Sequence, residues 1–493
     1  MTHAHRGIKA NLNMHGLFRI LAATLAAALF SACANGALTR YDKLSKTAAN
    51  QDFNKAISQI RKDPALYSSQ SRLLQHLDLG ILYHYSGRYD SSKVELEKAI
   101  ALHDELFTKS VSNEALSLLT NDNVRPYRGK AHEIVLMHLF QAFNYLALGN
   151  ADGALVEARQ TQLFLGELQR KEGADAKAYT DDGFFRFISA LAYESAGEKD
   201  DALISLYQSV KAYQNSGQTI PPSLRRYAAA SLTAGGRSDD VQSLKLGDAA
   251  APQANDPRFR ESEIILVGEA GKSATVDQTV FWGTWVRDGA LVIHYQGPDG
   301  KTVTQALPAP GLPQREYDKA NKGKKTRSGT TFHIKFSMPS YKRVESRTRR
   351  FALNVPGQPT VYSETYADLD ELLRRYLDES QTAILTRTVI RVVLRTIASE
   401  QTKSSLRTDN PLVNLLVNVG TDVLADRLEQ ADTRTWFLLP KRLEIARLPV
   451  KPGTYNVVAG AQDASGNTLK SQSYESVTVK PGEKRFLFLT SWQ

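Results

Sequence analysis

The sequence predicts a multidomain chain in which a helical solenoid is followed by an antiparallel β-rich module with an inserted helical hairpin. Three observations support this fold class. A pattern of Gly, Tyr and Ala recurs in the first half, short strand-like runs separated by Gly and Pro turns fill the second half, and apolar helical runs interrupt them. The length of 493 residues accommodates several domains of roughly 100 to 200 residues each.

Residues 1–32 have the features of a lipoprotein signal peptide. Basic but no acidic residues precede an apolar run at residues 20–30, which is too short to span a bilayer of ~30 Å. The run ends in Leu-Phe-Ser-Ala and the single cysteine of the chain, Cys33, which resembles a lipobox. We therefore expect Cys33 to be lipidated. The alternative is an ordinary signal peptide cut near Ala32.

The expected lipid anchor indicates where the protein resides. Ala34 follows Cys33 instead of Asp, and this resembles Gram-negative lipoproteins that are sorted to the outer membrane. Removal of residues 1–32 takes three basic and no acidic residues from the formal net charge of +10, which leaves +7. Outside the cytoplasm this charge meets lipid head groups, lipopolysaccharide or peptidoglycan, so no nucleic-acid partner is expected. We predict a periplasm-facing, lipid-anchored outer-membrane protein; a solvated surface of mixed charge is the other explanation of the net charge.

A repeated helix-pair pattern marks residues 33–247. Aligned on Gly87, Gly149 and Gly197, the units carry Leu79, Gly80, Tyr83, Tyr89, Ser92, Leu96 and Ala99; Ala142, Tyr145, Ala154 and Ala158; and Ala190, Tyr193, Ala202 and Leu206. These are the tetratricopeptide spacings, in which small residues permit close helix packing and each unit needs its neighbour. Extra segments at residues 109–130 and 166–182 separate the units, and such insertions often form a binding face.

The helical pattern ends at residue 247. Residues 248–260 are small and polar and predict a linker, and residues 261–365 predict a β-rich domain. A basic polar loop at residues 315–327 either contacts an anionic surface or is solvated. In residues 431–493, four further strand-like runs predict either a small antiparallel β-sandwich or a sheet that completes the central one.

Residues 366–430 predict a helical segment between the two β regions. Apolar runs at residues 366–380 and 381–398 predict two helices, and a third follows Asn410. One stripe on the second helix carries, at four-residue spacing, Arg387, Arg391 and Arg395. The helices either pack on the β domain, with the arginines paired or solvated, or face a membrane surface or a partner.

The sequence predicts no catalytic, metal or cofactor site. Residues 268–273 suggest a phosphate-binding loop, but Leu266 replaces the required first glycine and a strand follows where a helix is needed. His132 and His138 are six residues apart, so they point to different sides of a helix and cannot share a metal ion. The single cysteine is expected to carry lipid, which leaves no thiol nucleophile. We therefore predict a non-enzymatic protein without a cofactor.

Two separated segments resemble a family of largely uncharacterised Gram-negative outer-membrane lipoproteins with a tetratricopeptide-like first half. The first signature segment, residues 127–159, contains Tyr127, Gly129, Glu133, Asn144, Tyr145, Glu157 and Arg159. The second signature segment, residues 431–440, contains Asp432, Arg434 and Trp436. The resemblance implies the same architecture and supplies no catalytic residue.

The residues themselves leave the role of both signature segments open. An Asp432–Arg434 pair with Trp436 stacked on it either locks the helical hairpin to the sheet or forms a ligand platform. Glu157 and Arg159 either face a partner groove or form salt bridges between neighbouring repeats.

These features together predict a membrane-anchored scaffold or adaptor in the periplasm. Its repeats are expected to bind another envelope protein or an extended peptide through their concave face. One alternative is an accessory factor that regulates peptidoglycan synthesis. The other is a wall or glycan hydrolase whose carboxylates are dispersed in the sequence.

Overall fold

The computed structural model describes residues 43–110, 125–172, 182–247, 262–286, 290–296, 300–308, 331–406 and 431–493. Cys33, the expected linker, the basic loop at residues 315–327 and the helix expected after Asn410 lie outside these ranges. Within these ranges, every helix is too short or too polar to span a membrane.

The first half of the described chain consists of α-helices. They are α1 Phe53–Lys62, α2 Arg72–Tyr85, α3 Tyr89–Ser110, α4 Ala131–Ala147, α5 Ala151–Glu172, α6 Gly183–Ser195, α7 Lys199–Asn215, α8 Pro222–Ala234 and α9 Ser238–Ser243. The pairs α2/α3, α4/α5 and α6/α7 are each joined by three residues and pack against each other. The turn glycines Gly87, Gly149 and Gly197 have φ of 72°, 72° and 82°, a conformation that only glycine adopts without strain. The repeat phase expected from the sequence is therefore the phase of these helix pairs.

The second half consists of strands and one long helix. The strands are β1 Ser262–Lys272, β2 Thr275–Val286, β3 Ala290–Gln296, β4 Thr302–Pro308, β5 Thr331–Lys342, β6 Arg350–Asn354, β7 Val361–Tyr362, β8 Glu364–Asp368, β9 Pro440–Val450, β10 Gly453–Gln462, β11 Thr468–Val479 and β12 Lys484–Ser491. The helix, α10, spans Leu369–Leu406 between β8 and β9. Helices followed by mainly antiparallel sheets confirm the coarse fold class.

The described strands form three four-stranded sheets. The central sheet has the order β12-β1-β9-β8, the covering sheet β11-β10-β6-β7 and the lateral sheet β4-β3-β2-β5. The module was expected to be antiparallel, but strands β1 and β12 pair in parallel. These two strands come from opposite ends of the second half, so no hairpin turn forces them to run antiparallel. Strands from residues 261–365 and from residues 431–493 share both the central and the covering sheet, so the C-terminal strands complete sheets begun earlier in the chain.

The central sheet is buried on both faces. Alternate residues along its strands point to opposite sides. The side chains that pack on the helices include Ile265, Val267, Leu443, Ile445, Phe486 and Phe488. Those that pack on the covering sheet include Ile264, Leu266, Ala446, Leu448, Leu487 and Leu489. The helices and the central sheet therefore share one hydrophobic core.

Aromatic rings of the first helix of each pair pack on the central sheet. The ring of His84 in α2 lies 5.0 Å from that of Phe488, and the ring of Phe143 in α4 lies 5.3 Å from it. In α6, Phe187 stacks on Tyr366 of β8 at 4.9 Å. This face of the repeats is therefore covered by strands of the same chain, and a partner must use another face.

The helical segment differs from the expectation in two ways. Tyr366 belongs to β8, which pairs with β9, and the helix begins only at Leu369, where the Asp368 carboxylate accepts the Glu371 N–H at 3.1 Å. The two helices expected at residues 366–380 and 381–398 form a single helix, because no Gly or Pro interrupts it. Its apolar side chains Val389, Val392 and Val393 pack on the lateral sheet. The other arm of the expected hairpin lies outside the described residues.

Candidate functional site where the two signature segments meet

The two signature segments converge on the carboxylate of Glu133, at the start of α4. Its Oε1 accepts the Thr435 hydroxyl and the Trp436 N–H, both at 2.8 Å. Its Oε2 accepts the Tyr127 hydroxyl and, at 3.0 Å, the Lys130 N–H. Burial alone would raise the pKa of Glu133, but the charge on Lys130 and the bonds from Tyr127 and Trp436 lower it. Glu133 is therefore a fully hydrogen-bonded, buried carboxylate that ties both segments together.

Arg434 of the second signature segment forms the next layer. Its guanidinium binds the Asp432 carboxylate through two bonds of 2.9 and 2.7 Å. Its Nη1 donates to the carbonyl oxygens of Gln70 and Arg125 at 3.2 and 2.9 Å, and its Cζ lies 5.2 Å from the Tyr127 ring centroid. The planar donor fork of arginine suits this combination of carboxylate, carbonyls and aromatic face.

Trp436 does not stack on the Asp432–Arg434 pair. Its indole is 1% exposed and lies in the helical core, with its ring 6.0 Å from that of Phe140. The second signature segment therefore joins the repeat helices to the entry of β9, whereas a lock between the helical hairpin and the sheet, or a ligand platform, was expected.

A cleft of about 280 Å³ opens where these segments meet α10, and we call it the signature cleft. Its lining includes Tyr127, Gly129, Asp432 and Arg434 of the signature segments. The cationic side chains of the lining are Arg125, Arg128, Lys130, Arg387, Arg391 and Arg434, and its one acidic residue is Asp432. Apolar lining comes from Pro126, Pro339, Leu377 and Ile384. The lining of the signature cleft thus combines several cationic residues with an apolar wall.

Lys130 is a second buried charged group next to Glu133. Its Nζ is shielded from solvent and has no hydrogen-bond partner among the described residues. Burial lowers the pKa of Lys130, although the charges of Glu133 and Asp432 oppose this effect. Next to it, His132 is 3% exposed, and burial lowers its pKa to about 4, so its ring is neutral near pH 7.

Asn144 of the first signature segment belongs to a separate buried network. Its Oδ1 lies 2.7 Å from Nδ1 of His84, and its amide donates to Ser92 at 2.8 Å. On the other side of the ring, His84 Nε2 lies 2.9 Å from the Glu269 carboxylate of β1. Thr490 of β12 donates to the same carboxylate at 2.5 Å. This network links two repeats to the central sheet, and sequence reasoning missed His84 and Glu269 because neither stands in a recognisable motif.

Glu157 and Arg159 make different kinds of contact. Glu157 lies 2.7 Å from Nδ1 of His138, which joins α5 to α4 within one pair. Arg159 reaches the next pair, where it lies 3.4 Å from the Glu198 carboxylate and 5.7 Å from the Tyr193 ring centroid.

Tyr145, the remaining signature residue, lies between the first two helix pairs. Its hydroxyl donates to Glu97 at 3.5 Å, and Nζ of Lys93 lies 5.7 Å from its ring centroid. Both partners belong to α3, so Tyr145 contributes to packing between neighbouring repeats.

The second helix of each pair exposes an apolar side chain at the same repeat position. Val94, Val156 and Ile204 each follow the turn glycine of their pair by seven residues. They are 45%, 51% and 43% exposed, and Leu163, two turns after Val156 in α5, is 64% exposed. We call these four residues the outer apolar row. Val94, Val156 and Ile204 occupy equivalent positions on α3, α5 and α7, and Leu163 lies farther along α5.

The described residues contain no group of His, Cys, Asp and Glu suited to holding a metal ion. Residues 268–272, part of the segment that was rejected above as a phosphate-binding loop, continue strand β1. Gly268 lies against the ring of Phe351 of the covering sheet.

No protein-family model matches the chain. No curated protein matches it. Among solved structures, a structure of MamA AMB-1 is similar, with 17% identity over 45% of this chain and 92% of that chain and a TM-score of 0.27. A kinesin light chain from Podosopora anserina with nearly identical TPR-like repeats has 17% identity over 45% of this chain and 96% of that chain, with a TM-score of 0.29. At these TM-scores, neither similarity carries an argument about function.

Proposed function

We propose that this protein is a lipid-anchored scaffold of the Gram-negative cell envelope. It binds another envelope protein through the outer apolar row of its repeat helices. The observation behind the proposal is the recurrence of an exposed apolar residue at one repeat position, in Val94, Val156 and Ile204. Side chains repeated in this way line up along stacked helix pairs and suit an extended partner segment with apolar side chains of its own.

The choice of this face follows from what covers the opposite one. Rings of α2, α4 and α6 pack on the central sheet, so the first helices are occupied by the chain's own strands. The second helices α3, α5 and α7 carry the outer apolar row. Its side chains are 43–64% exposed, so their burial by a partner contributes about half of the ~1.5–3 kcal/mol that a fully exposed apolar side chain would give.

The anchor in this proposal is Cys33, at the lipobox-like junction of the sequence. Acyl chains contribute ~0.8 kcal/mol per buried CH₂, so more than one chain gives stable attachment to a membrane. Such an anchor places the outer apolar row within reach of proteins of the same membrane.

The test of the scaffold is crosslinking in intact cells, followed by purification and identification of the crosslinked proteins. The triple variant Val94→Glu, Val156→Glu, Ile204→Glu is expected to lose a specific partner and to keep its melting temperature. The matched control is Val303→Glu with Val458→Glu, which changes exposed valines of the lateral and covering sheets. Equal partner recovery from the triple variant and wild type would refute this binding face.

A further inference from the structure

The lateral sheet has one buried face and one outer face. Successive side chains along a strand point to opposite faces. On the buried face, Ile293 and Phe336 pack with Val392 of α10 in one apolar cluster. The strand register places on the outer face Trp282 and Thr284 of β2, His294 of β3, Thr302 and Thr304 of β4, and His333 of β5. These side chains of the outer face are polar groups around one tryptophan.

Trp282 presents its indole to solvent. It is 41% exposed, whereas Trp436 and Trp492 are 1% and 7% exposed. Tryptophan is largely buried on average, so an exposed indole is an informative departure. Directly opposite Trp282 on the neighbouring strand stands His294. The outer face therefore offers a large planar ring with a hydrogen-bonding side chain beside it.

An open cleft of about 510 Å³ lies over this part of the outer face, and we call it the Trp282 cleft. Its volume falls in the range of roughly 300–1,000 Å³ that is typical of small-ligand sites. Among the residues that the structure describes, its lining holds no Asp, Glu, Lys or Arg. Lys335, across from Trp282 on β5, lies outside the lining and is already engaged within the chain. An uncharged ligand therefore suits the Trp282 cleft.

Two histidines supply polar contacts in the Trp282 cleft. Nδ1 of His294 lies 2.8 Å from the Thr304 hydroxyl, and Nδ1 of His333 lies 3.4 Å from the Thr284 hydroxyl. These contacts involve one nitrogen of each ring, and in the described part of the chain neither Nε2 has a hydrogen-bond partner. A ring nitrogen donates or accepts according to its tautomer, and threonine hydroxyls do both. Such groups suit a ligand rich in hydroxyls.

A pyranose ring matches the Trp282 cleft in shape and in chemistry. Its C–H groups form an apolar face that packs on an indole, whose electron-rich π face attracts them. Its hydroxyls both donate and accept hydrogen bonds, as the imidazole and threonine groups of the cleft do. A protein interface normally has a cluster of apolar side chains at its centre, whereas the side chains next to Trp282 in the cleft are mainly polar.

We propose that the Trp282 cleft binds a neutral oligosaccharide. One pyranose ring stacks on Trp282, and its hydroxyls bind His294 and His333. The proposal is independent of the scaffold proposal, because the Trp282 cleft and the outer apolar row lie in different halves of the chain.

The test is titration calorimetry on the full chain in a detergent without a sugar head group. The probes are cellotetraose and tetra-N-acetylchitotetraose, two neutral chains of flat, β-linked pyranose rings. Sorbitol, which has hydroxyls but no ring, is the control and is expected to bind at least about tenfold more weakly. Saturable binding of either oligosaccharide supports the proposal. Absence of binding by both up to ~10 mM, or equal binding of sorbitol, would overturn it.

Substitutions of Trp282 test the stacking contact. Trp282→Ala is expected to weaken oligosaccharide binding at least about tenfold, since the apolar face of the sugar loses its partner. Trp282→Phe keeps a smaller ring and is expected to bind with intermediate affinity. Binding to wild type is also expected to change the tryptophan fluorescence, and this change should be absent in Trp282→Phe. Because Trp282 is exposed, both variants should melt at the wild-type temperature.

Two further variants complete the test. His333→Ala is expected to weaken binding by about 3- to 10-fold, the effect of one neutral hydrogen bond. Tyr362→Ala is the matched control, because Tyr362 is a 46% exposed aromatic residue of the covering sheet. Its affinity should equal that of wild type. Unchanged affinity in Trp282→Ala, or an equal loss in Tyr362→Ala, would overturn the site.

Discussion

The Glu133 carboxylate accepts the backbone N–H of Trp436 at 2.8 Å, across a separation of 303 residues. Through this bond the second helix pair of the repeats holds the entry to the strand β9. Because β9 lies in the central sheet, the bond couples the two halves of the chain. The two signature segments thus supply one of the contacts between the halves.

Removal of the Glu133 carboxylate should destabilise the protein strongly. Glu133→Ala leaves the donors of Thr435 and Trp436 without acceptors and increases the uncompensated charge at Lys130. We expect a loss of about 3–5 kcal/mol in the free energy of unfolding, the usual cost of breaking a buried charged network. Urea unfolding measures it, with Glu475→Ala, at an exposed position of β11, as control. A loss below about 1 kcal/mol would contradict the role of Glu133.

The Arg434→Lys variant should show whether the positive charge of Arg434 or the geometry of its guanidinium stabilises the protein. Lysine keeps the positive charge but cannot bind Asp432 through two bonds and also reach the carbonyls of Gln70 and Arg125. We expect a loss of about 1–3 kcal/mol in stability, from hydrogen bonds to charged groups. Thermal unfolding of the variant against wild type decides this, and an unchanged melting temperature would show that charge alone suffices.

Stability should fall with acidification because of His132. Its folded-state pKa is about 4, against an ordinary value of 6.5, so the unfolded chain binds a proton more readily between these values. The stabilising contribution is complete above about pH 6.5 and is lost as the pH falls towards 4. At ~1.4 kcal/mol per pH unit, this amounts to at most about 3 kcal/mol.

His132→Phe keeps an aromatic ring next to Tyr376, whose ring lies 4.7 Å away. The variant should therefore lose less stability than wild type between pH 6.5 and 4 in chemical unfolding experiments. His294→Gln, on strand β3 of the lateral sheet, serves as control and should retain the full pH dependence. The same slope in His132→Phe and wild type would refute the assignment.

Substitution by alanine should change stability in opposite directions at two glycines, one in the turn before α5 and one within α5. Gly149 has φ of +72°, so Gly149→Ala forces a side chain into a strained conformation and should cost about 1 kcal/mol. Gly166 lies within α5, and an added Cβ meets no atom within 4 Å, so Gly166→Ala should stabilise by about 1 kcal/mol. Thermal unfolding of the two variants gives the comparison, and shifts of the same sign would contradict the helix-pair register.

Much of the local structure is encoded in short stretches of sequence. The turn glycines and the Ala and Tyr spacing predict the helix pairs, and the boundary near residue 247 marks the change from helices to strands. The helix break expected near residue 380 is absent. Two separate groups of apolar residues suggested two helices, but no Gly or Pro stands between them to end the first helix. Strand β8 was missed because its pairing with β9 is made across the chain.

By itself, then, the sequence determined the helix pairs, their turns, most of the strands and the expectation of a lipid anchor, because these depend on residues close together in the chain. Tertiary structure alone decided that the central sheet covers the first helices, that Glu133 meets Trp436, and that Lys130 and Arg391 line one cleft. These contacts join residues hundreds of positions apart. Their energies come from burial and charge neutralisation, which no local pattern encodes.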